Sequence, residues 1–320
     1  MSAATQALPP APSGQTDHSA LSTQVAQAAQ IEPRKAEWVE VAGYAFTQAT
    51  VRPSGLPSAA PAVLRGISVS IAAGETVALI GPSGAGKTSL LNVLALAQAP
   101  TQPTSFKRSA LAPYALAPSA LHALRKTHFY APQTAPLAPR QRVINAVMAG
   151  ALPRWGGWKS LREWFASSHA ASAYAALQAF DLGEKLYARV DTLSGGERQR
   201  VGLARALLAH RMAGGEIRAW FLDEPLSALD PVLGEQALNV LLSEARSSGV
   251  LVVASLHHVA LARSHFDRII GLKNGELAFD VPRAQLTNAM IEALYAGEPL
   301  AQSVPDSQPL DVAPALVRCA

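Results

Sequence analysis

One stretch of eight residues constrains this chain more than any other: Gly81–Thr88, reading GPSGAGKT. The spacing G-x-x-x-x-G-K-[ST] needs a strand before it and a helix after it. The apolar run Thr76–Ile80 (TVALI) precedes it, and a helix is expected to begin near Thr88. Gly81, Gly84 and Gly86 let the backbone bend around phosphates without a side-chain clash. The loop Gly81, Pro82, Ser83, Gly84, Ala85, Gly86, Lys87 and Thr88 is therefore the expected phosphate cradle. Its N–H groups and the helix N-terminus favour an anion. Lys87 supplies a cation for the β- and γ-phosphates, and the Thr88 hydroxyl can coordinate Mg²⁺.

The rest of the chain suits such a loop. Short apolar runs alternate with longer amphipathic stretches, which argues for a parallel sheet with helices on its faces. Three runs read as fully buried strands: Thr76–Ile80, Ala219–Leu222 (AWFL) and Val250–Leu256 (VLVVASL). They end in a glycine turn, in Asp223–Glu224, and in His257. Ligands of open α/β sheets lie at the carboxyl ends of the strands, so one shared site is implied. A buried strand ending in carboxylates is the Walker B arrangement. There Asp223 would hold Mg²⁺ opposite Thr88, and Glu224 would polarise the attacking water as general base.

Composition narrows the class. The 320 residues carry a formal charge of +4. Lys and Arg occur only in short groups such as Arg198/Arg200 and Arg140/Arg142, so no nucleic-acid stripe is expected. The single cysteine, Cys319, excludes a disulfide framework within the chain. No apolar run approaches the roughly 18–20 residues that span a bilayer. Residues 1–33 contain no Lys or Arg, which fits neither a secretory signal nor a transit peptide, so the protein is expected to stay where it is made. Residues 1–36 and 301–320 are expected to be flexible tails, with a single domain at 37–300 between them. Within it, an Ala-rich helical lobe with Trp155, Trp158, Trp164 and Phe165 is expected at about 134–195.

A second glycine-rich helix start, Leu193–Arg200 (LSGGERQR), lies upstream of FLDEPLSALDP, with Ser194 in an N-cap region. With GPSGAGKT before it, this order resembles the ABC ATPases. The resemblance covers about Trp38 to Tyr295 and implies a P-loop NTPase with a RecA-like core, an antiparallel β subdomain and an inserted helical subdomain. It further implies that Ser194, Gly195 and Gly196 contact the γ-phosphate of ATP held by a partner subunit. Gln133, in YAPQTAPL, matches the glutamine that senses the γ-phosphate and Mg²⁺ and faces a membrane partner. Ser227–Asp230 (SALD) matches the loop that crosses the dimer interface, and His257 matches the switch histidine, with His258 as the alternative. The implied catalytic set is Glu224, His257 and Gln133, and the implied Mg²⁺ ligands are Thr88, Gln133 and Asp223.

The chain also departs from the family pattern. Gln48 stands where an adenine-stacking aromatic is expected, with Tyr44 or Phe46 as substitutes. Ala99–Ala120 lacks the usual glycine-bounded hairpin, and His210–Arg218 carries a Gly-Gly.

Within the family the chain looks most similar to ATPases of phosphonate importers. Val143–Leu152 (VINAVMAGAL), Arg154–Phe165 (RWGGWKSLREWF), Val190–Arg200 and Leu256–Asp280 carry that resemblance. It implies an ATP- and Mg²⁺-dependent subunit, homodimeric or paired with another ATPase. The dimer would dock peripherally on permease subunits at the cytoplasmic face of the membrane. A substrate-binding protein would join indirectly, and no nucleic acid is involved. An exporter ATPase or a soluble non-transport ABC ATPase are the alternatives.

Overall fold

The computed structural model describes residues 44–52, 62–100, 107–108, 116–155 and 169–296. The expected tails, 1–36 and 301–320, lie outside the described residues, as do Trp158, Trp164 and Phe165.

Strands β1 (Tyr44–Val51), β2 (Leu64–Ile71) and β4 (Lys107–Arg108) form a small antiparallel sheet in the order β2-β1-β4. The unusual Ala99–Ala120 stretch thus contributes β4, which pairs with Tyr44 and Ala45. Six strands form the main sheet in the order β5-β6-β7-β3-β8-β9. They are β3 (Thr76–Ile80), β5 (His128–Ala131), β6 (Ala219–Leu222), β7 (Leu251–Ser255), β8 (Arg268–Lys273) and β9 (Glu276–Pro282). Neighbours pair in parallel from β5 through β8, and β9 adds an antiparallel edge. Strand β7 is shorter than the apolar run VLVVASL, because the Val250 N–H bonds to the Ala245 carbonyl and closes the preceding helix.

The helices are α1 (Lys87–Leu94), α2 (Pro118–Arg125), α3 (Val143–Met148), α4 (Ala170–Gln178), α5 (Gly195–Met212), α6 (Pro231–Ser248), α7 (Val259–His265) and α8 (Asn288–Tyr295). Between residues 134 and 195 the described part holds only α3, α4 and three 3-10 turns. Trp155 is half-buried there, with its ring 5.6 Å from that of His169.

Continuous apolar strands are explained by two cores, one on each face of the main sheet. Ala78, Ile80, Trp220, Leu222, Val252 and Ala254 face a core that includes α3, α4, α5 and α6. Their alternates Val77, Leu79, Ala219, Phe221, Leu251 and Val253 face α1 and the inward residues Ile67, Val69 and Ile71 of β2. Side chains alternate across a strand, so burial on both faces requires every position to be apolar.

The Gly-Gly between α5 and β6 has a local reason. Gly214 and Gly215 both adopt positive φ, 56° and 87°, and turn the chain back so that Arg218 N–H reaches the Thr127 carbonyl at β5.

Candidate active site

Strands β5, β6, β7 and β3 are adjacent and parallel, so their carboxyl ends line one edge. The register is level: Ala131 pairs with Leu222 and Leu222 with Ala254, while Leu79 pairs with Ser255. This places Gln133, Asp223–Glu224, His257 and the Gly81–Thr88 loop along a single rim.

The loop behaves as its glycines require. At Gly81 a Cβ would stand 2.1 Å from the Leu272 carbonyl oxygen, a clash with backbone that cannot yield. Gly86 sits at φ 101° as the N-cap of α1, which begins at Lys87, and no side chain caps that helix. Its first N–H groups are thus left for a ligand. Lys87 is buried at 6 % exposure and donates to the carbonyls of Gly81 (2.6 Å) and Pro82 (2.9 Å). Ser83, Gly84 and Thr88 are exposed, Pro82 is half-buried and Ala85 is buried.

Glu224 stands at the centre. Gln133 Nε2 donates to its Oε2 at 2.6 Å, and His257 Nε2 lies 2.5 Å from its Oε1. His258 instead occupies the N-cap position of α7. Glu224 has φ +45°, a left-handed conformation that costs a non-glycine residue about 1–3 kcal/mol. Its backbone is pinned on both sides: its N–H donates to Ser255 Oγ at 2.7 Å, and its carbonyl accepts from Gln199 Nε2 at 2.9 Å.

Asp223 is 2 % exposed and accepts from Ser255 Oγ at Oδ1, 2.7 Å away. Tyr130 on β5 feels that charge. Burial, and then the Asp223 carboxylate, push its hydroxyl up to about 12.

Neither Gln199 nor Ser255 stands out as a functional residue from the strand and loop patterns. A signal existed for each. Ser255 is the one hydroxyl inside the apolar run VLVVASL, and Gln199 belongs to LSGGERQR.

The second glycine motif lies elsewhere. Ser194 is the N-cap of α5 in a complete capping box. Its Oγ accepts from Glu197 N–H at 3.2 Å, and the Glu197 carboxylate accepts from Ser194 N–H at 2.8 Å. That backbone hydrogen bond, despite burial and with help from Lys185, holds the Glu197 carboxyl below its ordinary range. Ser194 and Gly195 are exposed, and a side chain added at Gly195 would meet nothing within 4 Å. The hydrogen bonds of Ser194 go to Glu197 and Arg198, and Gly196 packs on Ala228 and Leu229, all away from the Gly81–Thr88 loop. In Ser227–Asp230 the Asp230 carboxylate caps α6, accepting from Val232 and Leu233 N–H at 3.1 and 3.0 Å.

A cavity of about 360 Å³ adjoins Gln133, lined by Phe129, Ala135, Arg125, Lys126, Arg154 and Arg205 among others. Burial lowers the pKa of Arg154, opposed by Glu216, and also lowers that of Arg205. Both have a buried Nε with no hydrogen-bond partner. The side chains of Tyr44, Phe46 and Gln48, the candidates for adenine stacking, lie outside the described residues.

The chain is similar to several known proteins. Residues 64–227 match the family described as ABC transporter. The phosphonates import ATP-binding protein PhnC of Polaromonas sp. (strain JS666) is 54% identical over 237 residues, covering 74% of this chain and 83% of that one. PhnC 2 of Albidiferax ferrireducens is 47% identical over 272 residues, covering 83% of this chain and 95% of that one. In fold, the dimeric ATP-binding cassette MJ0796 bound to ADP and Pi aligns with a TM-score of 0.64 at 24% identity, over 75% of this chain and 98% of that one. A rim that gathers a glycine-rich loop, paired acids, a glutamine and a histidine on adjacent parallel strands agrees with these likenesses. The chain belongs to the ABC transporter family, as one of its ATP-binding ATPases.

Proposed function

We propose that this protein is the ATP-hydrolysing subunit of an importer of the phosphonate type, working as a dimer on separate permease subunits at the cytoplasmic face of the membrane. The import names of its relatives support the direction of transport. No described helix is long and apolar enough to cross a membrane, which agrees with a separate permease. The ATPase domain runs over 37–300 with its helical part at about 134–195. A substrate-binding protein selects the cargo.

The observation that carries the reading is the meeting of Gln133, Glu224 and His257 beside the phosphate loop. In the proposed cycle, Gly81–Thr88 wraps the phosphates and Lys87 moves from the Gly81 and Pro82 carbonyls to the β- and γ-phosphates. Glu224 takes a proton from the attacking water as general base. His257 and Gln133 hold the carboxylate in place and respond to the γ-phosphate. The exposed Ser194 and Gly195, with the half-buried Gly196, grip the nucleotide bound to the opposite subunit.

Thr88, Gln133 and Asp223 present hard oxygen donors that suit Mg²⁺, with Ser255 fixing the Asp223 carboxylate. When bound, the ion neutralises charge on the β- and γ-phosphates. The permease docks beside Gln133 and the segment Thr134–Val147, where the cation-lined cavity opens.

Glu224→Gln is expected to bind ATP normally, to lose about 100-fold or more in turnover, and to accumulate as an ATP-bound dimer in gel filtration. Hydrolysis at the unmodified rate would show that Glu224 is not the base.

A further inference from the structure

Helix α5 is hydrogen-bonded to the Glu224 segment through the side-chain amide of Gln199. The Gln199 Oε1 accepts from the Ala228 N–H at 2.7 Å. Its Nε2 donates to the Glu224 carbonyl at 2.9 Å and approaches Ser227 Oγ at 3.2 Å. Both ends of the side chain are therefore spent on residues 224–228, and both are engaged with groups 25 to 29 positions away in the chain.

A second observation points to the same junction. Gly196 lies three residues before Gln199, on the same face of the helix. A Cβ at Gly196 would stand 2.9 Å from the Ala228 carbonyl oxygen, so the start of α5 is pressed against the same loop. The contact is thus steric at Gly196 and polar at Gln199.

The third observation is the backbone of Glu224. Its φ of +45° does not persist in a non-glycine residue unless the surroundings over-determine it. Ser255 on β7 holds the N–H side and Gln199 holds the carbonyl side. The main sheet fixes one end of this clamp, whereas the other end rides on α5, whose first residues are Gly195 and Gly196.

We propose that Gln199 is a positioning residue. It sets the Glu224 backbone and the Ser227–Asp230 loop relative to the start of α5. It thereby links the grip of Ser194–Gly196 on the partner's nucleotide to hydrolysis of the nucleotide in its own subunit. This rests on the dimeric reading above. A shift of α5 on closure is carried by the rigid amide to the Glu224 carbonyl, and the left-handed residue turns its carboxylate with it. Two nucleotide sites are coupled through one side chain that touches neither nucleotide.

The test uses the full chain with two variants. Gln199→Met keeps the length and removes all three hydrogen bonds. Gln199→Glu keeps the acceptor for Ala228 N–H and removes the donor to Glu224 and Ser227. For both, kcat is expected to fall about 10- to 100-fold, as misplacement of a catalytic group does. The KM for ATP should stay within about twofold, since the phosphate loop is untouched. The melting temperature should stay within about 2 °C. The Hill coefficient for ATP should fall to about 1, because the link between sites is cut. A kcat at the unmodified level in both variants overturns the proposal, as does a loss that merely follows a drop in melting temperature, or an undiminished Hill coefficient.

Glu224→Gln with ATP serves as the reference. If it stays monomeric, the dimeric reading falls and takes the coupling with it. If it dimerises while Gln199→Met turns over normally, only the role of Gln199 falls.

Discussion

At the scale of single residues, chemistry depends on groups that are short of freedom. Ser255 is fully buried and holds two acids at once, donating to Asp223 and accepting from the Glu224 N–H. Removing it leaves a buried carboxylate oxygen and a backbone donor without that partner. Ser255→Ala is expected to cost about 1–3 kcal/mol, by the usual penalty for unsatisfied buried groups. Urea denaturation measures it, and kcat should fall alongside because Glu224 loses one side of its clamp. Tyr130 reports on the same acid. Its folded pKa of about 12 exceeds the ordinary value of 10.0. The folded state therefore holds the proton more tightly. The associated stability is complete below the ordinary value and is lost as pH rises through the folded one. Ultraviolet titration should show a late-titrating phenolate that Tyr130→Phe removes.

At the scale of elements, the start of α5 performs two tasks with one residue. Ser194 caps the helix and is also the proposed γ-phosphate contact. The two tasks can be separated. Ser194→Ala removes the cap and is expected to cost about 1 kcal/mol of stability. Ser194→Asp keeps a capping oxygen and a favourable charge at the helix N-terminus, so stability should be retained. ATPase activity should be lost in that variant, because a carboxylate would face the γ-phosphate. Thermal melting and turnover, measured together, separate the outcomes. If Ser194→Asp hydrolysed ATP at the unmodified rate, the phosphate contact at Ser194 would be wrong. Three main strands, β3, β6 and β7, were also legible from sequence as elements, because burial on two faces leaves a simple apolar run. The small sheet was less legible. Its third strand is two residues long, Lys107–Arg108, and such a strand leaves no periodic trace.

At the scale of the whole molecule, the half-buried Arg268 side chain helps to tie the two sheets together. Arg268 on β8 makes paired hydrogen bonds to Asp280 on β9, at 2.5 and 2.6 Å. The same guanidinium donates to the Ser70 carbonyl on β2 at 2.8 Å and contacts Glu75 at 3.2 Å. Burial presses its pKa down, and Asp280, then Glu75, more than reverse this, so the charge is held firmly. Arg268→Met would leave two acids without their cation. The expected loss is about 1–3 kcal/mol, as for charged hydrogen bonds lost at a half-buried site, with the antiparallel sheet loosening first. Hydrogen exchange at β1 and β2 checks the order of loss, and denaturation checks the size.

The sequence by itself determined the family, the glycine-rich loop between β3 and α1, and the ends of β3, β6 and β7. These are local features: Gly81–Thr88 is contiguous, and Asp223–Glu224 and His257 directly follow apolar runs. Tertiary structure alone decided how those ends are arranged. The order β5-β6-β7-β3 brings Gln133 to Glu224 across 91 positions, and the 2.5 Å approach to Glu224 separates His257 from its neighbour His258. It also decided the contacts of Gln199, Ser255 and Arg268. Their partners lie 25, 32 and 198 positions away, at Glu224, Asp223 and Ser70, and a polar residue does not reveal its partner at such distances. A motif can be read wherever the chemistry depends on neighbours in the chain. Where it depends on which strand lies beside which, only the folded sheet supplies the answer.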